Sequence, residues 1–250
     1  MVPDSSAPFA DARPTLARSW RLLKAFRVEQ TDPDFFYGAL AADSVAQIQH
    51  YQSLAGMRVL DVGGGPGYFA SAFRTAGATY HALDADLGEL SGLGDPEAGT
   101  VLGSGMALPF RDGSFDVTYS SNVLEHVPHP WTMADEMVRV TRPGGLIYLS
   151  YTLWFGPWGG HETAPWHFLG GHRAAKRYER KHGHRPKNVF GESLFAVTAA
   201  SGIGWARQCE EAVVVVLLPR YLPRRAWWVL KVPGLRELAT WNLALVLRKR

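Results

Sequence analysis

One short segment, residues 59–70, constrains the fold more than any other part of the chain. It begins with the apolar stretch Val-Leu-Asp-Val, which is typical of a buried strand, and three glycines follow at alternate positions. Gly63, Gly65 and Gly67 permit backbone conformations that other residues rarely adopt, and they let a ligand approach the main chain. The helix predicted next adds free N–H groups. The segment therefore predicts a strand–turn–helix unit that holds a nucleotide-like ligand.

The spacing of the glycines narrows the choice of ligand. A dinucleotide site has the pattern G-x-G-x-x-G, which would require glycine where this chain has Tyr68. The next predicted strand, 79–83, ends in Asp84. An acid there accepts hydrogen bonds from both ribose hydroxyls, although an acid near a helix start is also favoured by the helix dipole alone. Asp84 therefore indicates a ribose-containing ligand without separating NAD from other nucleoside cofactors.

Three further segments identify the family that the chain resembles. They are LPF and DGSFDV within 103–117, SSNVLEHV at 120–127 and RVTRPGG at 139–145. With the pattern D-x-G-x-G-x-G from Asp61, their order and spacing resemble the class I S-adenosylmethionine (SAM)-dependent methyltransferases, including those of ubiquinone and menaquinone pathways. This resemblance covers about residues 58–151, and 152–194 is similar to a group of uncharacterised actinobacterial methyltransferases. It implies SAM as the methyl donor.

The resemblance also implies a set of cofactor-binding residues. They are Asp61, Gly63, Gly65, Gly67, Asp84, Ser104, Gly105, Met106 and Asn122. The chain departs from the family at Ser104, where many members have an acid that binds the adenine amino group. We expect Ser104 to accept that hydrogen bond less strongly, and Met106 to contribute its backbone N–H and its apolar side chain.

Alternating strand and helix patterns predict an α/β fold. We expect a three-layer Rossmann-like sandwich with a mostly parallel seven-stranded sheet, N-terminal capping helices and a lid insertion after the fifth strand. The predicted strands are 58–62, 79–83, 100–102, 115–120 and 146–151, followed by two final buried strands at 213–218 and 242–247. The predicted helices are 14–27, one that starts at Pro33, 67–76, 88–91, 131–140 and 192–201, the last ended by Gly202.

The length of 250 residues, 46% of them hydrophobic, suits a single core. We therefore expect one methyltransferase domain, 1–250. Its predicted parts are N-terminal cap helices (1–55), a SAM-binding core (56–151), a lid and acceptor insertion (152–190), and a C-terminal helix with the last strands (191–250). In relatives an aromatic residue of the cap lines the SAM pocket, so Tyr37 is a candidate, with plain core packing as the alternative.

Composition indicates a cytoplasmic protein. The N-terminus has no basic segment followed by an apolar one, no apolar run reaches membrane length, and the single cysteine, Cys209, excludes an internal disulfide. We interpret Cys209 as a small apolar residue rather than a nucleophile. Charge is uneven: residues 1–150 hold 10 Lys and Arg against 17 Asp and Glu, and 151–250 hold 16 against 6. The basic half is either a solvated surface or a surface for an anionic acceptor or membrane.

Methyl transfer from a sulfonium needs alignment rather than a nucleophilic residue, and we expect no metal. A hydroxyl acceptor needs a general base, usually histidine. His126 follows the predicted fourth strand and His161 lies in the predicted lid, so both are candidate catalytic bases. A metal site at His161, Glu162, His167 and His172 is disfavoured because this spacing matches no regular ligand pattern.

Residues 219–241 combine arginines with Trp and Tyr, a composition that fits peripheral membrane contact, a homodimer contact or a lid. No nucleic-acid-binding module is recognisable, so no nucleic acid partner is expected. The preferred interpretation is O-methylation of a small-molecule acceptor, such as a sugar or glycolipid hydroxyl. C-methylation of a quinone-like or lipid acceptor, and SAM binding without turnover, are the alternatives.

Overall fold

The computed structural model describes residues 11–29, 31–91 and 99–250. At its centre lies a seven-stranded sheet in the order β3-β2-β1-β4-β5-β7-β6. The strands are β1 (Arg58–Val62), β2 (Thr79–Asp84), β3 (Thr100–Leu102), β4 (Phe115–Ser121), β5 (Thr141–Thr152), β6 (Ala212–Pro219) and β7 (Asn242–Lys249). The first five pair in parallel, and β7 runs antiparallel between β5 and β6. The predicted α/β class and mostly parallel sheet are confirmed.

Helices flank this sheet on both faces. The α-helices among the described residues are α1 (Leu16–Phe26), α2 (Pro33–Gln49), α3 (Ala70–Thr75), α4 (Leu87–Leu90), α5 (Pro130–Val140), α6 (Gly171–His182), α7 (Ala199–Gln208) and α8 (Leu235–Ala239). Short 3-10 helices cover Leu124–His126, His161–Thr163, Trp166–Leu169 and Arg224–Lys231. No helix in the described ranges has the length and apolar character needed to cross a bilayer.

The central strands bury side chains on both faces of the sheet. In β5, Ile147 and Leu149 join the core cluster formed with α5 and α7, whereas Leu146 and Tyr148 join the opposite cluster with α2 and α3. Neighbouring strand residues point to opposite faces, so a continuous apolar run fills both layers. Each fully buried Leu or Ile contributes about 1.5–3 kcal/mol to stability relative to exposure.

The strand order reverses beside β1, which pairs with β2 on one side and with β4 on the other. In open parallel sheets this reversal creates a crevice at the carboxyl ends of the strands, and ligands bind there. The turn after β1 and the residues after β2, β3 and β4 therefore meet at one edge of the sheet, which we call the carboxyl edge.

A buried ion pair joins the two N-terminal helices. Arg18 of α1 donates two hydrogen bonds to the carboxylate of Asp43 of α2, at 2.6 and 2.7 Å, and a third to the backbone carbonyl of Arg220 at 2.8 Å. Both side chains of the pair are nearly inaccessible to solvent. The contact fixes α1 against α2 and against the end of β6.

Two predicted boundaries are wrong at the C-terminal side of the fold. The helix predicted at 192–201 is instead α7, which begins at Ala199, and Gly202 lies inside it rather than ending it. Thr198 caps this helix in a reciprocal arrangement with Ser201. Before this helix, residues 191–193 form a turn and 195–198 are irregular, and there the N–H of Phe195 bonds to the Glu125 carbonyl and the Val197 carbonyl accepts from Trp154.

The two final strands differ in burial, contrary to the prediction that both are buried. Residues Leu243–Leu247 of β7 are completely buried. In contrast, β6 pairs with β7 and forms the edge of the described sheet, and Val213, Val214 and Val215 are exposed. The helix after the glycine turn also starts later than predicted, at Ala70 rather than at 67.

Candidate functional site

The glycine-rich turn after β1 leaves open space above its backbone. Gly63, Gly65 and Gly67 have φ values of 82°, 52° and 92°, which glycine adopts readily. A Cβ atom on Gly63 would lie 2.4 Å from the side chain of Val123, so this glycine permits close packing against the segment after β4. A Cβ on Gly65 or Gly67 would meet no atom within 4 Å. These two glycines therefore leave the space above the turn open.

The carboxylate of Asp84 lies beside this space. One of its oxygens accepts from the N–H of Gly65 at 3.0 Å, and the other accepts from the N–H of Asp86 at 3.0 Å. These bonds orient the carboxylate at the end of β2 and leave lone pairs for further donors. The position and orientation suit the acceptance of ribose hydroxyls.

Asp61 lies behind the turn and is buried. The hydroxyl of Tyr80 donates to its carboxylate at 2.7 Å. Burial raises the pKa of Asp61 to about 7, and the negative charge of Asp84 adds to this effect. The carboxyl carbon would lie 3.5 Å from a Cβ built on Gly64, so Asp61 supports the turn from the sheet side.

The loop after β3 brings Ser104, Gly105 and Met106 together. The Ser104 hydroxyl oxygen accepts from the Met106 N–H at 3.2 Å. The backbone N–H that we expected to be free for adenine thus already has a partner inside the loop. A Cβ on Gly105 would lie 3.1 Å from both Met133 and Val62, so this glycine allows the loop to pack against α5 and β1.

Asn122 follows β4 and is fixed by its neighbours. Its side-chain oxygen accepts from the side-chain amide of Asn242 at 2.7 Å, and its N–H donates to the Ser150 carbonyl at 2.8 Å. These contacts connect the ends of β4, β5 and β7. Asn122 thus lies at the carboxyl edge, with its side-chain oxygen engaged by β7.

A cluster of two histidines and one glutamate forms at the same edge. Glu125 and His126 lie on the 3-10 helix after β4, and His161 comes from the segment after β5. The two imidazole rings are 5.0 Å apart between centroids. One potential metal-ligand atom from each of the three residues lies within 4.8 Å of the other two. The structure therefore brings both predicted histidines together and adds Glu125, which the sequence analysis missed.

Two residues near the carboxyl edge have strained backbone conformations. Among the described residues, the non-glycine residues with positive φ are Asn122 at 57° and His161 at 46°. Such conformations cost on the order of 1–3 kcal/mol and concentrate at functional sites. Burial lowers the pKa of His161 to about 4, partly offset by the charge of Glu125. The imidazole is therefore neutral near pH 7.

The other residues of the disfavoured metal set do not join the cluster. The side chain of Glu162 is bonded by Asn188 at 2.9 Å. His167 is buried with its Nε2 atom 3.3 Å from the Gly156 carbonyl, and His172 packs against the ring of Phe190. The sequence did contain a sign of the observed cluster, because Glu125 precedes His126 in the motif that ends β4.

Tyr37 and Cys209, also singled out in the sequence, have clear surroundings. The Tyr37 ring stacks on Tyr68 of the glycine-rich turn with 4.7 Å between centroids, and its hydroxyl donates to Glu29 at 3.1 Å. Tyr37 thus attaches α2 to the turn. Burial raises the pKa of the Cys209 thiol, which disfavours the reactive thiolate.

This fold, with a glycine-rich turn beside an acid at the end of β2, suits a nucleoside cofactor, and comparison with known proteins identifies the class as a SAM-dependent methyltransferase. A family model described as "Methyltransferase domain" matches residues 60–149. A protein of Mycolicibacterium gilvum (strain PYR-GCK), named "Uncharacterized methyltransferase", is 56% identical over 246 residues, covering 94% of this chain and 96% of that relative. The chain belongs to this methyltransferase family.

Solved structures share the fold at low sequence identity. A SAM-dependent methyltransferase from Mesorhizobium loti has a TM-score of 0.57 and 19% identity, covering 84% of this chain and 98% of that chain. The [4+2]-cyclase SpnF has a TM-score of 0.51 and 17% identity, covering 85% and 81%. A fold of this kind therefore also occurs in a protein named for different chemistry, and function depends on the site.

Proposed function

We propose that the protein transfers the methyl group of SAM to a hydroxyl of a small-molecule acceptor, with a sugar or glycolipid hydroxyl as the preferred class. The observation that supports this most is the proximity of His126 and His161 at the carboxyl edge, where the glycine-rich turn also lies. A hydroxyl must lose its proton to become a good nucleophile, and histidine is suited to accept that proton.

Each portion of SAM can be assigned to residues near the glycine-rich turn. Asp84, which is held by the Gly65 N–H, would receive the ribose hydroxyls, and the rest of the cofactor would lie above Gly65 and Gly67, where a Cβ atom would meet no atom within 4 Å. Ser104, Gly105 and Met106 would border the adenine, and Asn122 and Asp61 would support the site from β4 and β1. Bound SAM supplies a methyl group that is already activated on a sulfonium. The protein then has to hold the acceptor and receive its proton.

His126 is the better placed of the two candidate bases. Its Nδ1 atom lies 2.7 Å from the Ser193 carbonyl, and a carbonyl can only accept, so Nδ1 carries the hydrogen. The Nε2 atom then has its lone pair available. We propose that Nε2 of His126 accepts the acceptor proton while His161 packs against the ring and fixes its orientation.

The insertion after β5 is the proposed acceptor lid. Lys187 near its end forms an ion pair of 3.1 Å with Glu89 on α4, so the end of the insertion reaches the helix that follows β2. Exposed aromatic rings lie along it: Phe155, Trp158, Trp166 and Phe168. Such rings stack on sugar faces or contact apolar chains. The excess of basic residues after residue 150 favours an anionic acceptor.

A lipid acceptor is the second candidate, and residues 219–241 favour it. Trp228, Val232 and Leu238 are exposed there beside Arg224 and Arg225, which suits peripheral contact with an anionic membrane. Deleting this segment would damage the fold, because Glu237 accepts hydrogen bonds from the first N–H groups of α7. Trp228→Asp with Leu238→Asp is therefore the better test, and it should reduce binding to anionic vesicles.

The decisive experiment uses methyl-labelled SAM and fractionated extract of the source cell. We expect His126→Gln to lower transfer by about 10²–10⁴-fold while SAM affinity stays unchanged, and His129→Gln, an exposed neighbour, to retain activity. Label in the aqueous phase would support a polar acceptor, and label in the organic phase a lipid or quinone. SAM binding without any transfer by the unaltered protein would instead support a binding role. Loss of SAM binding in His126→Gln would make that histidine structural.

A further inference from the structure

We propose that Glu125, His126 and His161 form a binding site for a divalent transition-metal cation of the Zn²⁺ type. The three side chains come from two separate segments, the 3-10 helix after β4 and the insertion after β5. One potential ligand atom from each residue lies within 4.8 Å of those of the other two. Ligands around tetrahedral Zn²⁺ are about 3.4 Å apart, as follows from bond lengths near 2.1 Å. Small side-chain rotations would close the difference.

The strongest support is that two ligand atoms are buried without any hydrogen-bond partner. Oε2 of Glu125 and Nε2 of His161 are both of this kind within the described part of the chain, and the Glu125 residue is only 1% exposed. An unpaired buried carboxylate oxygen is costly. An arrangement of one such oxygen with two nearby imidazole nitrogens is stabilised by a cation placed between them.

Backbone groups bind the other polar atoms of Glu125 and His126, as is common for metal-ligating residues. Oε1 of Glu125 accepts from the Thr152 N–H at 3.0 Å, and Nδ1 of His126 faces the Ser193 carbonyl at 2.7 Å. A backbone partner on one imidazole nitrogen fixes the tautomer and directs the other nitrogen towards the metal. The backbone therefore orients Glu125 and His126 with one free ligand atom each.

The donor set indicates which cations would bind. Two histidines with one carboxylate is a ligand set of catalytic Zn²⁺ and of non-haem Fe²⁺ sites. Mg²⁺ and Ca²⁺ prefer oxygen ligands, so the two imidazoles disfavour them. Three protein ligands leave at least one coordination position for a small molecule.

The role of the cation rests on the proposed function, although its binding does not. A divalent cation bound here would lower the pKa of an acceptor hydroxyl that it contacts, so the hydroxyl would release its proton to water and no histidine base would be needed. Nε2 of His126 would then hold the cation instead of the acceptor proton. Activity in the presence of a chelator separates these two roles.

The test is a titration of metal-stripped full-length protein with Zn²⁺, and with Co²⁺ as a spectroscopic probe. We expect one equivalent to bind, with Co²⁺ absorption bands typical of nitrogen and oxygen ligands and a rise in Tm. Glu125→Gln keeps the oxygen that accepts from Thr152, so it should fold, and we expect it to weaken binding by more than about 10-fold, as His161→Gln should. Glu162→Gln and His184→Gln, which alter exposed side chains, serve as matched controls.

Weak binding that Glu125→Gln leaves unchanged would overturn the proposal, as would a Co²⁺ spectrum of a fully hydrated ion. SAM affinity, measured in parallel, keeps the two proposals separate. If SAM binds and transfer proceeds fully in excess chelator, the metal role fails and the methyltransferase with a histidine base stands. If metal binds and neither SAM binding nor transfer occurs, the proposed function fails and the metal site stands.

Discussion

The carboxylate of Asp84 accepts a hydrogen bond from the backbone N–H of Gly65 at 3.0 Å, and so connects the end of β2 to the glycine-rich turn after β1. The proposed function assigns the ribose hydroxyls of SAM to this same carboxylate, so one side chain would both shape the turn and recognise the ligand.

From this contact we predict that Asp84→Ala weakens SAM binding by about 10- to 100-fold, because hydrogen bonds to a charged group contribute about 1.5–3 kcal/mol. Isothermal titration calorimetry measures the change directly. Asp86→Ala is the matched control, since Asp86 caps α4 through Gly88 and Glu89. An Asp84 variant with the affinity of the control would refute the ribose assignment.

A second prediction concerns pH. The folded-state pKa of Asp61 is raised to about 7 from 3.8. Below 3.8 the carboxyl is protonated in both states, and between about 4 and 7 only the folded state keeps its proton. The folded state is therefore stabilised at low pH, and this contribution is lost as the pH rises to about 7. At about 1.4 kcal/mol per pKa unit, the total is about 4.5 kcal/mol.

Asp61→Asn removes the titration while keeping an oxygen for the Tyr80 hydroxyl. We expect the free energy of unfolding, measured with urea at pH 5, 6, 7 and 8, to fall less steeply with pH in this variant. Asp112→Asn, at an exposed aspartate, is the comparison. Equal slopes for the unaltered protein and Asp61→Asn would contradict the raised pKa.

A third prediction follows from the buried ion pair of Arg18 and Asp43. Arg18→Ala leaves a carboxylate in the interior without its cation, so we expect the free energy of unfolding to fall by about 3–5 kcal/mol. Arg185→Ala removes an ion pair with Glu192 whose side chains are 56% and 62% exposed, and should cost less than about 1 kcal/mol. A loss of similar size in both variants would contradict the importance of burial. Urea unfolding measures both.

Local patterns predicted much of the fold. The apolar runs at 58–62 and 242–247 became β1 and β7 because a strand buried on both faces needs apolar residues throughout. The exposure of β6 was not predictable from its valines, since a run of the same kind is buried or exposed according to whether the strand lies at the sheet edge.

Local sequence patterns also predicted only part of the candidate site. The glycine-rich turn and Asp84 follow from local spacing, and both were predicted. The contact of His126 with His161 joins residues 35 positions apart in the sequence, so it depends on where the insertion folds. Glu125 was missed because a buried carboxylate in a motif cannot be separated from a surface one without the tertiary structure.

Gly202 was predicted to end a helix, but it lies inside α7 because of how this helix packs. The last prediction concerns this packing. A glycine near the end of a helix pattern indicates a stop, but here a Cβ atom would lie 1.9 Å from the Tyr151 hydroxyl oxygen. The glycine therefore permits α7 to approach β5. We expect Gly202→Ala to lower the free energy of unfolding by about 1–3 kcal/mol through overpacking.

Gly204 lies on the same helix and provides a matched control, because a Cβ there would meet nothing within 4 Å. Gly204→Ala should raise the free energy of unfolding by up to about 1 kcal/mol, since alanine favours the helical conformation. The two substitutions are chemically identical and differ only in their surroundings. Opposite signs in urea unfolding would confirm that Gly202 is required by the contact with Tyr151, whereas stabilisation in both variants would show that α7 adjusts its distance from β5 at little cost.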